Sequence, residues 1–440
     1  MQKDFYRLAD HLTGLLEEPE AFTATYSGEV SDFVRLNGSR IRQPGRVTQR
    51  AFTLDLTRGR RHSAGTTALS GDFEIDRARV EGVLADLRER LPHLPEDPHH
   101  LVATEVQSSE RHQEDRLPKA QEAIDSILSA AEGKDLVGIY AAGGIHRGFA
   151  SSTGQRNWYT TYSFHFDWSL YHSGDKAVKS AYAGFEWDET RFREKMEQAT
   201  EQLGVLTKEA RTIPPGQYRV YLSPVAIQEL LEMMSWGGFG LKDARTKQSP
   251  LLKLIEGETR LSEQVSLREN TESGVAPNFQ AEGFIKPAAV DLVENGRHAS
   301  FLVSPRSAKE YGVETNGANS MEFPESIELA PGKVKREEIL RTLGTGIYVS
   351  NLWYLNYSDR PGGRITGMTR FATFWVENGE IVAPLNVMRF DETLFRIFGE
   401  GLVGLTAEPE LLLDSYTYGE RSTGSVRTPG AIVDGFTFTL

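Results

Sequence analysis

The chain reads as an α+β protein, an N-terminal α/β domain with an antiparallel meander and helices followed by a strand-rich C-terminal domain. Three observations lead there. Residues 21–69 alternate apolar and polar positions with period two between turn dipeptides. Residues 189–206 carry a long helical pattern, and beyond residue 216 strand patterns outnumber helical ones. The break falls at Thr212-Ile213-Pro214-Pro215-Gly216, where stiff prolines beside a free glycine make a linker. The expected domains are therefore 1–212 and 213–440, since 440 residues exceed what one ordinary core organises.

An amphipathic helix opens the chain over Asp4–Leu16, with Phe5, Leu8, His11, Leu12 and Leu15 at helical spacing. The meander follows, with turns expected at Asn37-Gly38, Pro44-Gly45 and Arg58-Gly59. Ser70-Gly71-Asp72 leads into a helix ending near Leu91, and LPHLPEDPHH (91–100) reads as a proline-broken loop. A helix over Pro118–Glu132 precedes an apolar strand, Lys134–Ala142, which ends at Gly143-Gly144. Strands at Trp158–Tyr171 and Lys176–Phe185, then the helix Glu189–Leu206, complete this half.

In the second half QYRVYL (217–222) is a strand and Pro224–Trp236 a helix, its proline in the first turn where no N–H is needed. Strands are expected at Phe279–Ile285, Ala288–Val293, His298–Val303 and Ala431–Leu440, with short helices near Arg336–Leu343 and Glu392–Phe398. Between them lies GTGIYVSNLWYLNYSDRPGGRITGMTRFATFWVENGEIVAP (344–384). It reads as a strand, Gly346–Leu352, a polar excursion around Asp359–Gly363, and two strands about the turn Glu377-Asn378-Gly379-Glu380. Asn-Gly between apolar runs marks a hairpin because both central residues must reach positive φ.

Composition excludes several classes of function. There is no cysteine, so disulfides, thiolate metal sites and cysteine nucleophiles are absent. The net charge of -13 disfavours nucleic acid as a principal ligand. The one dense basic run, LTRGRRH (56–62), places its arginines on both faces of a hairpin. No apolar run approaches a membrane span, and the N-terminus has no signal-peptide pattern, so a cytoplasmic protein without a membrane partner is expected.

The 344–384 block resembles the C-terminal domain of the TldD/PmbA (TldE) metallopeptidase family. The likeness extends to 282–319, to the strand, Pro-Gly, short helix and Gly-x-Tyr-Val run of 325–349, and to the closing strands of 424–440. It is looser before residue 280. The resemblance implies a TldD/PmbA-type C-terminal domain and a family with two kinds of subunit. One kind carries H-E-x-x-x-H on a helix, where two imidazoles hold zinc and the glutamate activates water. The helix in that slot here offers Glu229 and Glu232 but no histidine, and His298 is the only histidine after residue 212. This chain is thus most like the PmbA/TldE-type subunit, with no catalytic or metal-ligating residues of its own. The resemblance implies zinc in a TldD-like partner subunit, a heterodimer acting on unfolded peptides, and the older family label of modulator of DNA gyrase. The alternatives are a homodimeric adaptor without peptidase activity and a divergent carboxylate-based hydrolase.

Other candidate residues read less sharply. Glu229 and Glu232 are expected on a solvated helix face. His99-His100 fall in an exposed loop, and His112-Gln113-Glu114-Asp115 reads as a polar loop. His165, Asp167 and Ser169 share one strand face but stand too far apart for a tight relay, so that face is expected to be solvated or packed on a partner. The segment Leu352–Arg364, with Trp353, Tyr354, Tyr357, Arg360 and Arg364, is the expected peptide- or partner-contact loop, since aromatics and arginine anchor interfaces. The competing reading packs Trp353 and Tyr357 on the sheet beneath.

Overall fold

The computed structural model describes residues 1–174 and 176–439. Its N-terminal part contains helices α1 (Gln2–Thr13), α2 (Phe73–Arg90), α3 (Ala120–Ala130) and α4 (Glu189–Leu206). Its strands are β1 (Glu20–Asn37), β2 (Arg40–Arg58), β3 (Arg61–Ala68), β4 (Ser109–His112), β5 (Asp135–Ser151), β6 (Arg156–Ser173) and β7 (Lys176–Gly184). They form one sheet in the order β3-β2-β1-β5-β6-β4, with β7 also paired to β6. The Asp72 carboxylate caps α2 by accepting from the amides of Glu74 and Ile75.

Two expected breaks are absent. Pro44-Gly45 lies within β2, where Pro44 stands opposite Val34 of β1. Strand β3 covers only Ala51–Arg58 of β2, so Pro44 sits where the outer edge is free, a setting in which strands tolerate proline. Nor do Gly143-Gly144 end β5. Gly143 has φ +150°, and a Cβ there would lie 2.1 Å from the Val30 carbonyl oxygen. Glycine thus permits close approach of β1 rather than marking a turn.

The sheet's two faces have different fates. Tyr140, Phe164, Phe166, Trp168 and Leu170 point to one face and are fully buried. They pack with residues of α3 and α4 in a core that also contains Tyr221, Tyr348, Phe374 and Ile432. A second cluster, under α1 and α2, joins Phe5, Leu12, Phe52, Leu84 and Trp158. The opposite face carries Glu29, Ser31, Ser163 and His165, all buried although polar.

The C-terminal part begins with β8 (Gly216–Leu222) and helix α5 (Pro224–Ser235). Short helices α6 (Leu241–Arg245) and α7 (Leu252–Ile255) follow, then β9 (Leu267–Glu269), β10 (Val290–Glu294), β11 (Arg297–His298), α8 (Pro305–Tyr311), β12 (Ser326–Leu329) and α9 (Ile339–Leu343). The remaining strands are β13 (Gly346–Asp359), β14 (Arg364–Glu377), β15 (Glu380–Pro384), β16 (Arg389–Thr393), β17 (Leu402–Leu405), β18 (Glu410–Leu413), β19 (Ser425–Thr428) and β20 (Ala431–Phe438). One sheet runs β11-β10-β9-β12-β19-β18 and the other β13-β8-β20-β16-β14-β15, with β17 on β20. Ile227, Leu230, Leu231 and Met234 of α5 enter the core of this half.

Several expectations for this half change. Phe279–Ile285 makes a single bridge between its ends instead of a strand, and of His298–Val303 only His298 belongs to a strand, β11, while Leu302 makes an isolated bridge to Gly240. The expected helix Glu392–Phe398 starts as β16 and turns helical at Leu394. Leu352–Arg364 is no loop: β13 and β14 continue their ladder to Asp359 and Arg364. Backbone pairing needs no apolar side chains, so polar composition concealed it. The end of the expected strand Ala431–Leu440, at Leu440, lies outside the described residues.

Two charged anchors hold distant segments. The Glu20 carboxylate accepts hydrogen bonds from Arg88 of α2 and Arg58 of β2, each at 2.7 Å. Burial alone would raise its pKa, but the bonds from Arg88, the Glu17 amide and Arg58 outweigh this and hold it down at about 2. The segment between β18 and β19 lies over the polar sheet face through Arg421. Its guanidinium donates to the Ser163 carbonyl and hydroxyl, both at 2.8 Å, and to the Gly143 carbonyl at 3.2 Å.

The Glu20 cluster should stabilise the fold at and above pH 4.5 and lose that contribution as pH falls toward 2, because the unfolded chain binds the proton more tightly. Urea unfolding of Glu20→Gln should show a deficit at pH 7 that narrows at pH 3; a constant deficit would place the stabilisation elsewhere. Arg421→Met should cost about 3 kcal/mol, since it strips a buried charge from its acceptors. Hydrogen exchange should then rise in residues 414–424, and unchanged protection there would show that other contacts hold the segment.

Candidate functional site

A cavity of about 450 Å³ opens against the polar face of the first sheet. His165, Asp167 and Ser169 line it from alternate positions of β6, as their shared face requires. Register brings distant residues to them: Gln43, Arg35, Ile139 and Asp167 form one row across four strands. Lys179 stands opposite Ser169 on β7.

Two β-bulges add further side chains. Arg42 is an extra residue of β2, between the pairs Arg35–Gln43 and Leu36–Ile41, and it lines the cavity beside Gln43. On β14, Phe371 and Ala372 stand against the single residue Ser350. Phe371 takes φ +58° and reaches the same cavity, which Ser415 also lines. Bulges re-aim side chains in this way, and a left-handed backbone at a bulky residue is strained.

The site's electrostatics follow from burial. His165 is 4 % exposed and its Nε2 has no hydrogen-bond partner among the described residues. Burial, then the charge of Arg421, push its pKa down to about 3, so the imidazole is neutral. Asp167 accepts a salt bridge from Lys179 at 3.2 Å. Burial nevertheless raises its pKa, the ion pair opposing this only in part. No described carboxylate lies within ion-pair distance of Arg35 or Arg42.

The expectation for this face is therefore corrected. His165 is buried, Asp167 and Ser169 are half-buried, and all three line a cavity within the chain. They make no relay, for no hydrogen bond joins them among the described residues. Arg35, Arg42, Lys179, Phe371 and Ser415 escaped the sequence reading. Strand alternation carries a weak signal for Arg35 and Lys179 once register is known; the bulges and the Ser415 segment carry none.

Helix α5 presents two carboxylates. Glu232 is exposed, as expected, and its carboxylate accepts from the Gln228 amide at 2.8 Å. Glu229 departs from the expected solvated face, being half-buried. Burial first, and the neighbouring Glu232 second, push its pKa up to about 7, while Lys179 pulls it down. This donor set does not fit zinc: two carboxylates without imidazole or thiolate favour hard cations, and Glu229 is substantially protonated near neutrality. Among the described residues no three His, Asp or Glu side chains gather where one cation would touch all.

The five residues of the expected contact segment divide. Trp353 and Tyr354 are exposed, at 48 % and 75 %, and Arg370 lies over the Trp353 ring at 4.8 Å. Tyr357 is half-buried and its hydroxyl donates to the Met233 carbonyl. Arg360 donates to the carbonyls of Gln248 and Trp236, and Arg364 pairs with Asp391 at 2.9 Å. The segment thus brings its two exposed aromatics together and ties the other three residues into internal contacts.

His62, His100 and His112 are neighbours of charge. His99 and His100 are half-buried rather than exposed, and His100 stacks on His62 with ring centres 3.7 Å apart. His62 bridges Asp55 and Asp97, which also binds Arg306 at 2.6 Å. His112 belongs to β4 and contacts Glu110 at the surface.

Comparison with known proteins gives this fold its relatives. Residues 215–440 match the family model described as the PmbA/TldA metallopeptidase C-terminal domain. A 109-residue stretch is 29% identical to the metalloprotease PmbA of Escherichia coli O157:H7, covering 24% of this chain and only 23% of that protein. TldE from Thermococcus kodakarensis has the same fold, with TM-score 0.78 and 15% identity over 99% of this chain and 100% of its own. So does a Thermotoga maritima protein described as a candidate modulator of DNA gyrase, with TM-score 0.79 and 16% identity over 99% and 100% of the two chains. The family model spans more than half of the sequence, and this chain belongs to the TldD/PmbA metallopeptidase family.

Proposed function

We propose that this chain is the TldE/PmbA-like, metal-free subunit of a heterodimeric zinc metallopeptidase that takes in unfolded peptides. The observation that carries the reading is α5, which by the family resemblance corresponds to the zinc helix yet offers only Glu229 and Glu232. Zinc and the water it activates belong to a TldD-like partner subunit. This chain contributes walls, strand edges and surface that hold extended substrate, a mode that suits peptides of varied sequence. Trp353 and Tyr354 on the β13–β14 ribbon are the proposed contact points; Tyr357, Arg360 and Arg364 support them by fixing the ribbon to α5 and β16. No described helix is long and apolar enough to cross a membrane.

The assembly is tested by producing this chain with a family member that carries H-E-x-x-x-H. The two should copurify and cleave unfolded peptide in a chelator-sensitive way, while this chain alone should cleave none. Chelator-sensitive cleavage by this chain alone would overturn the assignment; failure to associate would favour the homodimeric adaptor.

Glu229→Gln distinguishes a structural from a catalytic carboxylate. Activity of the assembly should stay within about twofold, less than ~0.5 kcal/mol in barrier height. A folded pKa raised to about 7 means stability is fully present below pH 4.5 and lost as pH rises through 7. The variant should therefore melt higher than the wild type at pH 8 and not at pH 4. A large loss of activity with the fold intact would make Glu229 a participant in the chemistry.

A further inference from the structure

The cavity beside β6 has features that wall formation does not require. Two independent β-bulges turn Arg42 and Phe371 into the same space, the second through a left-handed backbone. His165 lines it from β6, 4 % exposed, with its Nε2 turned away from the open space.

The charges around this space are unequal. Asp167 and Lys179 neutralise each other at 3.2 Å. Arg35 and Arg42 then stand as two guanidinium groups with no described carboxylate in ion-pair reach. Guanidinium forks match carboxylate oxygens in a bidentate manner. Alongside them Gln43 and Ser169 offer hydrogen bonds suited to amides, and Phe371 offers an apolar wall. At about 450 Å³ the cavity falls within the range of small-ligand sites, about 300–1,000 Å³.

We propose that this cavity binds the C-terminal carboxylate end of a short peptide, with Arg35 and Arg42 holding the carboxylate and Gln43 and Ser169 hydrogen-bonding the peptide backbone. This gives the chain a binding site formed from its own residues. The choice of peptide rests on the peptidase-subunit reading; carboxylate binding does not, and it is measured on the isolated chain.

Calorimetric titration of the full chain at pH 7 with trialanine, trialanine amide and acetate tests it. Trialanine should bind saturably and about tenfold or more tightly than its amide, the loss expected when a charged hydrogen-bond acceptor is removed. Arg42→Ala and Arg35→Ala should each weaken trialanine about tenfold with unchanged melting temperatures, since both side chains are exposed. The His165 imidazole ¹⁵N resonances should shift during the same titration. Equal binding of acid and amide, absence of saturation, or indifference to both arginine variants would overturn the proposal. Acetate binding as tightly as trialanine would make this a site for a simple organic acid and overturn the peptide assignment. Failure of the peptidase-subunit reading would appear separately, as no association with the zinc-bearing partner, and would leave this titration intact.

Discussion

Alternation of side chains along β5 and β6 governs the arrangement of everything around them. Every second residue of β6, from Phe164 to Leu170, is committed to a core shared with Tyr221, Tyr348 and Phe374 of the other half. A one-residue slip would expose that core and bury His165, Asp167 and Ser169 in it. The strongly buried aromatic face therefore fixes where the polar face points. It also ties the two halves together, because neither half encloses this cluster alone.

The polar face is tolerable because it is answered by specific partners rather than by water. Arg421 reaches in from the β18–β19 connection and finds carbonyl and hydroxyl acceptors on β5 and β6. Glu29, close by, accepts from Gln49 at 2.8 Å and from the Arg421 amide at 3.0 Å. Buried polar groups must be paired or they destabilise the fold. The cavity opens beyond these contacts, beside His165, Asp167 and Ser169. Gly143 makes the arrangement sterically feasible, since any side chain there would meet the Val30 carbonyl.

Family membership and chemistry separate clearly here. The strands and turns that carry the family pattern build a scaffold, and α5 is part of it, capped by Ser223 and buried through Ile227, Leu230 and Leu231. Glu229 and Glu232 set what the helix surface can coordinate without entering its buried stripe.

Much of the secondary structure was legible because local pattern decides it: α4, α5 and the 377–380 turn rest on periodicity, an N-terminal proline and Asn-Gly. The missing zinc motif was equally legible, being a matter of residue identity. Pro44, Gly143 and the polar end of the β13–β14 ribbon misled, because each resembles a loop while pairing with a distant strand. Residue identity and local pattern thus carry the α+β class, the family likeness and the absence of histidine from α5. The meeting of Arg35, Arg42, His165, Asp167, Lys179 and Phe371 could not be read that way. It follows from cross-strand register, two bulges and burial, all of which arise from contacts between segments far apart in the chain.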